Sequence, residues 1–226
     1  MKKTLSLIAM MAAMAAPAMA EMAPLDDTAS ALPLPMTVSD KDDKFGLNVG
    51  VSTLGATIEG TFKINDKFGI RVPYGEASGS YDEESNGETY SGDMNLGGFG
   101  LLADYRPTGK NFRVSGGAFA TDYNASATAE NVTIGATSGD IQIDVYQKEK
   151  IAPMLGLGYD AKIFKGHGRF SIDAGAIFGK GFNVDGRDTS GNFTQAQIDD
   201  ELEDIRDSAG KLKVLPYVKV AVGFVF

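Results

Sequence analysis

The sequence predicts an all-β fold, an eight-stranded antiparallel transmembrane up-and-down β-barrel with a short amphipathic helix in its last extracellular loop. Three observations lead there. Apolar and polar residues alternate with period two from Lys44 onward, and Gly, Pro, Asn and Asp clusters interrupt the alternation. Short connections alternate with mostly longer ones, as when tight turns face one side of a membrane and loops the other. Each predicted strand carries an aromatic residue near the same end.

Met1-Lys2-Lys3-Thr4 precedes an apolar run from Leu5 to Ala16 and then Pro17-Ala18-Met19-Ala20. A basic start, an apolar middle and an A-x-A site predict a signal peptide over residues 1–20, removed on export. Residues 21–43 are rich in Pro, Ala and Asp without a sustained apolar period, which predicts a flexible periplasmic leader. Residues 44–226 continue without a compositional break and are expected to form one barrel domain. Past the signal, no apolar run approaches the roughly 20 residues that a membrane-crossing helix needs.

The chain has no cysteine, so a lipidated-thiol anchor, a disulfide framework and a thiolate metal site are all excluded. Its net charge of −9 becomes more negative when Lys2 and Lys3 leave with the signal, which argues against nucleic acid or anionic lipid head groups as the main partner.

The predicted strands come in four pairs. The first is Lys44 to Thr53 and Ala56 to Ile64, joined by the tight Leu54-Gly55 connection and followed by the turn Asn65-Asp66-Lys67. Phe68 to Glu76 and Tyr90 to Arg106 follow, joined by an acidic loop and closed by the turn Pro107 to Asn111. Phe112 to Tyr123 and Lys150 to Ile163 form the third pair, closed around Lys165-Gly166-His167-Gly168, and Arg169 to Val184 with Lys213 to Phe226 form the fourth.

On every strand one parity is apolar and the other small or charged. Alternation alone does not decide which face meets lipid. The aromatics of apolar parity decide it: Phe45, Phe62, Phe68, Tyr105, Phe112, Tyr159 and Phe170, with Phe226, form a predicted interfacial girdle at the turn end. Ordinary packing at a barrel floor is the competing explanation. An Arg or Lys facing mid-membrane lipid costs about 2–4 kcal/mol, so the charged parity is expected to face inward. There Glu59, Asp104, Asp160 and Asp173 are expected to pair with Arg71, Arg106, Arg113, Lys162 and Lys219, as a static network or as the gate of a narrow conduit.

The C-terminal stretch Lys219-Val220-Ala221-Val222-Gly223-Phe224-Val225-Phe226 resembles the β-signal that the barrel-assembly machinery reads on its clients. Lys219, Phe224 and Phe226 fit the pattern, whereas Ala221 stands where Gly is usual. With the signal peptide and eight strands, residues 44–226 resemble the small proteobacterial outer-membrane barrels of the OmpA, OmpX and OmpW type, within the porin-like superfamily. The resemblance implies a Gram-negative outer-membrane location, lipid and lipopolysaccharide as surroundings, and the assembly machinery as a transient partner. It implies no peptidoglycan-binding domain, because nothing is seen to follow the barrel.

The only histidine, His167, falls in a predicted turn far from any outer-rim serine, so a histidine-based triad is not expected and the chain is read as a non-enzyme. No cofactor or metal is expected. In the last loop, Thr194 and Gln197 have capping-box spacing, Ile198, Leu202, Ile205 and Ala209 share one helical face, and Gly210 is placed as the stop. The acidic remainder, Asp199, Asp200, Glu201, Glu203, Asp204 and Asp207, reads as a solvated face or as a divalent-cation surface. In the third loop, segments around Ser138-Gly139 predict a hairpin that extends its strands or recruits a partner by strand addition.

The functional expectation is an outer-membrane barrel with a polar, mostly closed lumen that contributes to envelope structure or surface contact. The alternatives are a narrow channel for small solutes and a soluble periplasmic carrier of lipocalin type.

Overall fold

A computed structural model describes residues 44–85, 88–163 and 168–226. The predicted signal peptide and leader, and His167 with most of its turn, lie outside the described residues. The strands are β1 (Phe45–Ser52), β2 (Gly55–Lys63), β3 (Phe68–Ser85), β4 (Glu88–Tyr105), β5 (Phe112–Thr121), β6 (Asn124–Ile134), β7 (Thr137–Gln147), β8 (Ile151–Ile163), β9 (Gly168–Phe178), β10 (Phe182–Asp188) and β11 (Val214–Val225), with helix α1 (Gln195–Lys211) before the last.

Eight of these strands close a ring in the order β1, β2, β3, β4, β5, β8, β9, β11, with every neighbour antiparallel. The seam pairs β1 with β11 from Gly46↔Val225 to Ser52↔Lys219. No edge is left in the ring, as a bilayer requires, although the β3–β4 register skips Val72 and Pro73, where proline has no N–H to give.

The ring's outward parity is apolar and exposed. Leu47, Val49, Ile58, Val72, Phe99, Leu101, Leu155, Leu157, Val218, Val222 and Phe224 all face out. This polarity is the reverse of a soluble barrel, whose outer face is polar. A contiguous apolar belt is unfavourable in water and fits hydrocarbon.

Above the belt the sheet does not stop. The lower part of β4 pairs with β5 (Gly98↔Thr121 to Tyr105↔Val114), whereas its upper part pairs with β6 (Thr89↔Glu130 to Asn95↔Asn124). From that branch point β3, β4, β6, β7 and β10 continue as a raised sheet. The acidic stretch expected to be a loop after Glu76 is therefore mostly strand, with β3 running to Ser85 and β4 starting at Glu88. A segment solvated on both faces has no apolar face to produce alternation, and only its cross-strand ladder reveals it. Likewise, the single strand expected from Arg169 to Val184 is broken between β9 and β10, where Gly181 adopts φ +88°.

The third-loop hairpin exists, but it turns at Gly135-Ala136, with Gly135 at φ +63°, and Ser138 and Gly139 lie within β7. Its lower part offers no edge for recruitment, because β6 pairs with β4 as far as Glu130 and β7 with β10 from Ile141, while the strands of the tip, Val132 to Ile134 and Thr137 to Gly139, pair only with each other. The raised sheet has two edges, the upper part of β3 beyond Glu76, where β2 has ended, and β10, which α1 flanks: Arg206 Nε donates to Val184 O at 2.8 Å and Gln195 Nε2 to Gly186 O at 3.1 Å. On β10, the carbonyls of Val184 and Gly186 are thus already bonded.

Helix α1 starts at the expected capping box, with Thr194 as N-cap and reciprocal bonds to Gln197. It does not stop at Gly210; it runs to Lys211, with Leu212 as C-cap. Ile198, Leu202 and Ile205 are buried against Ile141, Ile143, Val184 and Phe193. These sheet residues share the parity that points into the lumen lower down, so α1 lies on the lumen side of the raised sheet. Its outer face keeps the acids in solvent, where Asp199 pairs with Arg206 at 2.8 Å and Asp207 with Lys211 at 3.5 Å. Among the described residues no group of acids or His is arranged to hold a metal ion.

Because α1 is held by one apolar contact layer, Leu202→Ala is expected to loosen it by about 2–5 kcal/mol. Hydrogen exchange should quicken across residues 195–211 while the β1 to β5 ladder keeps wild-type protection, a pattern that mass spectrometry reads directly.

Candidate functional site in the barrel lumen

The lumen is stratified into a charged layer and an apolar layer. In the lower layer Glu59, Arg71, Asp104, Arg113, Asp173 and Lys219 are all nearly inaccessible to solvent. Three acids therefore face three bases, and the layer is neutral as a whole. Arg71 stands at its centre. Its Nε donates to Asp104 Oδ2 at 2.7 Å, its Nη1 to Glu59 Oε2 at 2.9 Å and Asp173 Oδ2 at 3.2 Å, and its Nη2 to Ser115 Oγ at 2.9 Å.

Arg113 Nη2 reaches both oxygens of Asp173, at 2.8 and 2.9 Å, and Ser171 Oγ at 2.9 Å, while its Nη1 pairs with Asp160. Lys219 Nζ contacts Glu59 Oε2 at 2.5 Å and Asp173 Oδ2 at 3.1 Å. The carboxylates' remaining lone pairs are met by neutral donors. Asn48 Nδ2 donates to Glu59 at 2.9 Å, Ser115 Oγ to Asp104 at 2.7 Å and Ser171 Oγ to Asp160 at 3.0 Å. Buried charge is tolerated only when paired and bonded in this way.

The strands make room for the network. A side chain at Gly158 would sit 2.6 Å from Asp173 Oδ1 and 2.7 Å from the Arg113 guanidinium. The glycine is thus the space that Arg113 fills.

Of the nine charges assigned to the lumen by parity, six form this core. Arg106 and Asp160 lie just below it, 14% and 13% exposed, joined at 3.1 Å. Lys162 is a correction: it is exposed at the turn-end mouth and forms no ion pair among the described residues. Its position near the end of β8 leaves it in water, where pairing gains little.

The expectation of a polar lumen holds for the charged layer and is corrected for the one above it. Leu54, Leu102, Phe119, Tyr123, Ala152, Met154, Ile177 and Tyr217 pack into one apolar cluster, with the Phe119 and Tyr217 rings 5.2 Å apart. Leu54 comes from the tight β1–β2 turn, where Gly55 at φ +94° lets the chain fold Leu54 into the mouth. Leu102, Phe119 and Tyr217 have no accessible surface, so side chains fill the lumen at this level.

The aromatics assigned to the girdle are found at the turn end. Phe45, Phe62, Phe68, Tyr105, Phe112, Tyr159 and Phe226 are exposed on the outer face, whereas Phe170 is half-buried. Phe45 stacks near Phe62 at 5.0 Å and Phe68 near Tyr105 at 5.3 Å. In the C-terminal segment Lys219 and Ala221 point into the lumen, while Phe224 and Phe226 point out beside the β1–β11 seam.

Several participants were missed from sequence. The hydroxyl and amide partners Asn48, Ser115 and Ser171 carry no signal beyond parity. The apolar layer could have been found by extending that parity, since Leu102 lies two residues from Asp104 and Tyr217 two from Lys219.

Replacing Arg71 with Met removes the central donor, leaving Glu59 to Lys219, Asp173 to Arg113 and Lys219, and Asp104 with no base closer than 3.8 Å. A loss of about 3–5 kcal/mol is expected, read as a lower urea midpoint for unfolding of the detergent-solubilised barrel. Asn48→Ala, which removes one neutral bond, should cost about 1 kcal/mol.

No protein-family model and no curated protein matches the chain. Solved structures do. CarO of Acinetobacter baumannii superposes with a TM-score of 0.59 at 21% identity, over 82% of this chain and 100% of that one. CarO2 of the same organism gives 0.58 at 24% identity, over 81% and 98%. A major outer membrane protein from Thermus thermophilus gives a lower TM-score, 0.47, at 12% identity, over 81% and 99%. With its closed ring, outward apolar belt and paired interior charges, this chain has the fold of the small eight-stranded outer-membrane β-barrels.

Proposed function

We propose that the chain is an integral protein of the Gram-negative outer membrane whose sealed lumen makes it a structural and surface-contact element of the envelope. The observation that carries this reading is the inverted polarity of the ring, with Leu101, Leu155 and Val218 outside and Arg71, Glu59 and Lys219 inside. A soluble carrier needs the opposite arrangement, an apolar lumen and a polar exterior. Transport is opposed by two filled levels in series, since a solute would have to part the ion pairs around Arg71 and then displace Phe119 and Tyr217. No catalytic role belongs to this reading.

Surface contact falls to the raised sheet and α1, which stand above the belt and present acidic residues to solvent. Outer-membrane lipid and lipopolysaccharide are the surroundings of the belt. The barrel-assembly machinery is the proposed reader of Lys219, Ala221, Phe224 and Phe226, which lie on the strand that closes the ring. Residues 1–20 are the proposed export signal.

Liposome swelling tests the sealed lumen. Vesicles holding the refolded barrel are expected to swell in small sugars or amino acids no faster than protein-free vesicles. Rapid size-dependent swelling would establish the narrow-channel alternative instead. Fractionation tests location: the protein should remain with outer membrane until detergent is added, and release with the periplasmic extract would refute the assignment.

A further inference from the structure

A second feature lies below the charged layer, at the mouth rimmed by the short turns. A cavity of about 390 Å³ opens there, lined by Lys63, Arg71, Arg106, Lys110, Lys162 and Arg169 against Asp66, Asp104 and Asp160. Six bases thus meet three acids, in a chain whose net charge is −9. The acids are also committed elsewhere. Asp104 accepts from Arg71 and Ser115, Asp160 pairs with Arg113 and Arg106, and Asp66 pairs with Lys63 at 2.7 Å.

Three bases remain over. Arg169 is half-buried, yet among the described residues its one side-chain hydrogen bond is to Thr61 Oγ1 at 3.4 Å, and no carboxylate of these residues lies within ion-pair distance of it. Lys162 and Lys110 are likewise without an ion pair among the described residues. A partly desolvated guanidinium whose nearest acids, Asp160 and Glu59, lie beyond ion-pair distance and are already engaged by Arg106, Arg113 and Lys219 is under-compensated, and an anion would complete the site. Room is provided at Gly69, where a Cβ would approach Arg106 Nη1 to 3.2 Å.

We propose that this vestibule binds a phosphate-bearing anion. Guanidinium forks match phosphate oxygens in pairs, and flexible lysines add charge around them. The volume lies in the range of small-molecule sites and exceeds one bare phosphate, so the ligand is an organic phosphate or a lipid phosphate headgroup. The exposed ring of Phe45, Phe62, Phe68 and Tyr105 at the same end sets the vestibule at headgroup depth. Its floor is closed by Arg71 and Asp104, so the anion docks there and does not pass. The lipid-headgroup source rests on the membrane reading proposed above, whereas the binding geometry is independent of whether the barrel conducts and the pyrophosphate titration is independent of location.

The experiment is calorimetric titration of pyrophosphate into the refolded full barrel in zwitterionic micelles at low salt. One saturable site is expected, weakened steeply by added salt. Arg169→Gln should weaken it about tenfold, or about 1.4 kcal/mol, and Lys162→Gln, whose side chain is exposed, about threefold, while Lys213→Gln at the opposite end leaves it unchanged. Lys162 is exposed, so its variant tests the site even where Arg169→Gln fails to fold. Repeating the titration in phosphatidylcholine nanodiscs with and without phosphatidylglycerol separates the sources. Loss of pyrophosphate binding with the anionic lipid assigns the site to a headgroup, and retention assigns it to a soluble phosphate. Absence of saturable heat, or wild-type affinity in Lys162→Gln, overturns the proposal.

Discussion

The structure depends on one constraint: a barrel closed in hydrocarbon has an oily outside, so its charges must be neutralised among themselves inside. Turned outward, the three buried bases alone would cost about 6–12 kcal/mol at mid-membrane depth, comparable with the entire net stability of a domain, about 5–15 kcal/mol. Since a one-residue register slip turns every side chain to the other face, the charges fix the register of β2, β3, β4, β5, β9 and β11 together. Pairing then has to close locally, and it does so through Arg71, whose guanidinium touches carboxylates carried by β2, β4 and β9.

The second layer follows from the same economy of space. An eight-stranded lumen is just wide enough to be filled by side chains. Near its middle the filling is ionic, whereas towards the raised sheet it is apolar, from Leu54 to Tyr217. Above that, the apolar face of α1 packs on the same side of the continuing sheet. Charge, oil and helix thus succeed one another along a single concave surface, while the turn-end mouth keeps a surplus of positive charge.

Much of this was legible in the sequence, and the reason differs by element. Strands crossing the belt have one face in lipid and one in the lumen, so period two was strong in Phe45 to Ser52 and in Val218 to Phe226. The upper half of β3 is solvated and gave no such alternation, which is why Ser78 to Ser85 read as a loop, whereas β4 was legible from Tyr90 onward. Parity located Glu59, Arg71 and Asp104, but it does not say how far along a strand the pore ends, so Lys162 was drawn inward although it lies at the mouth. Leu102 and Phe119 were hidden for the opposite reason: an apolar residue of inward parity looks like a lapse in the pattern until its neighbours converge. The capping box at Thr194 was readable because it is local chemistry. The branch of β4 between β5 and β6 is a long-range choice that no local pattern encodes.

The central claim is the orientation of the two faces, and power-saturation spectroscopy of nitroxides measures it most directly. The chain has no native cysteine, so single labels can be placed without a background substitution. In liposomes, labels at Leu101 and Val220 are expected to collide readily with oxygen and to be shielded from a water-soluble nickel chelate, whereas a label at Asn192 in the outer loop should show the reverse. Strong nickel access at Leu101 and Val220 would place those faces in water and contradict the account.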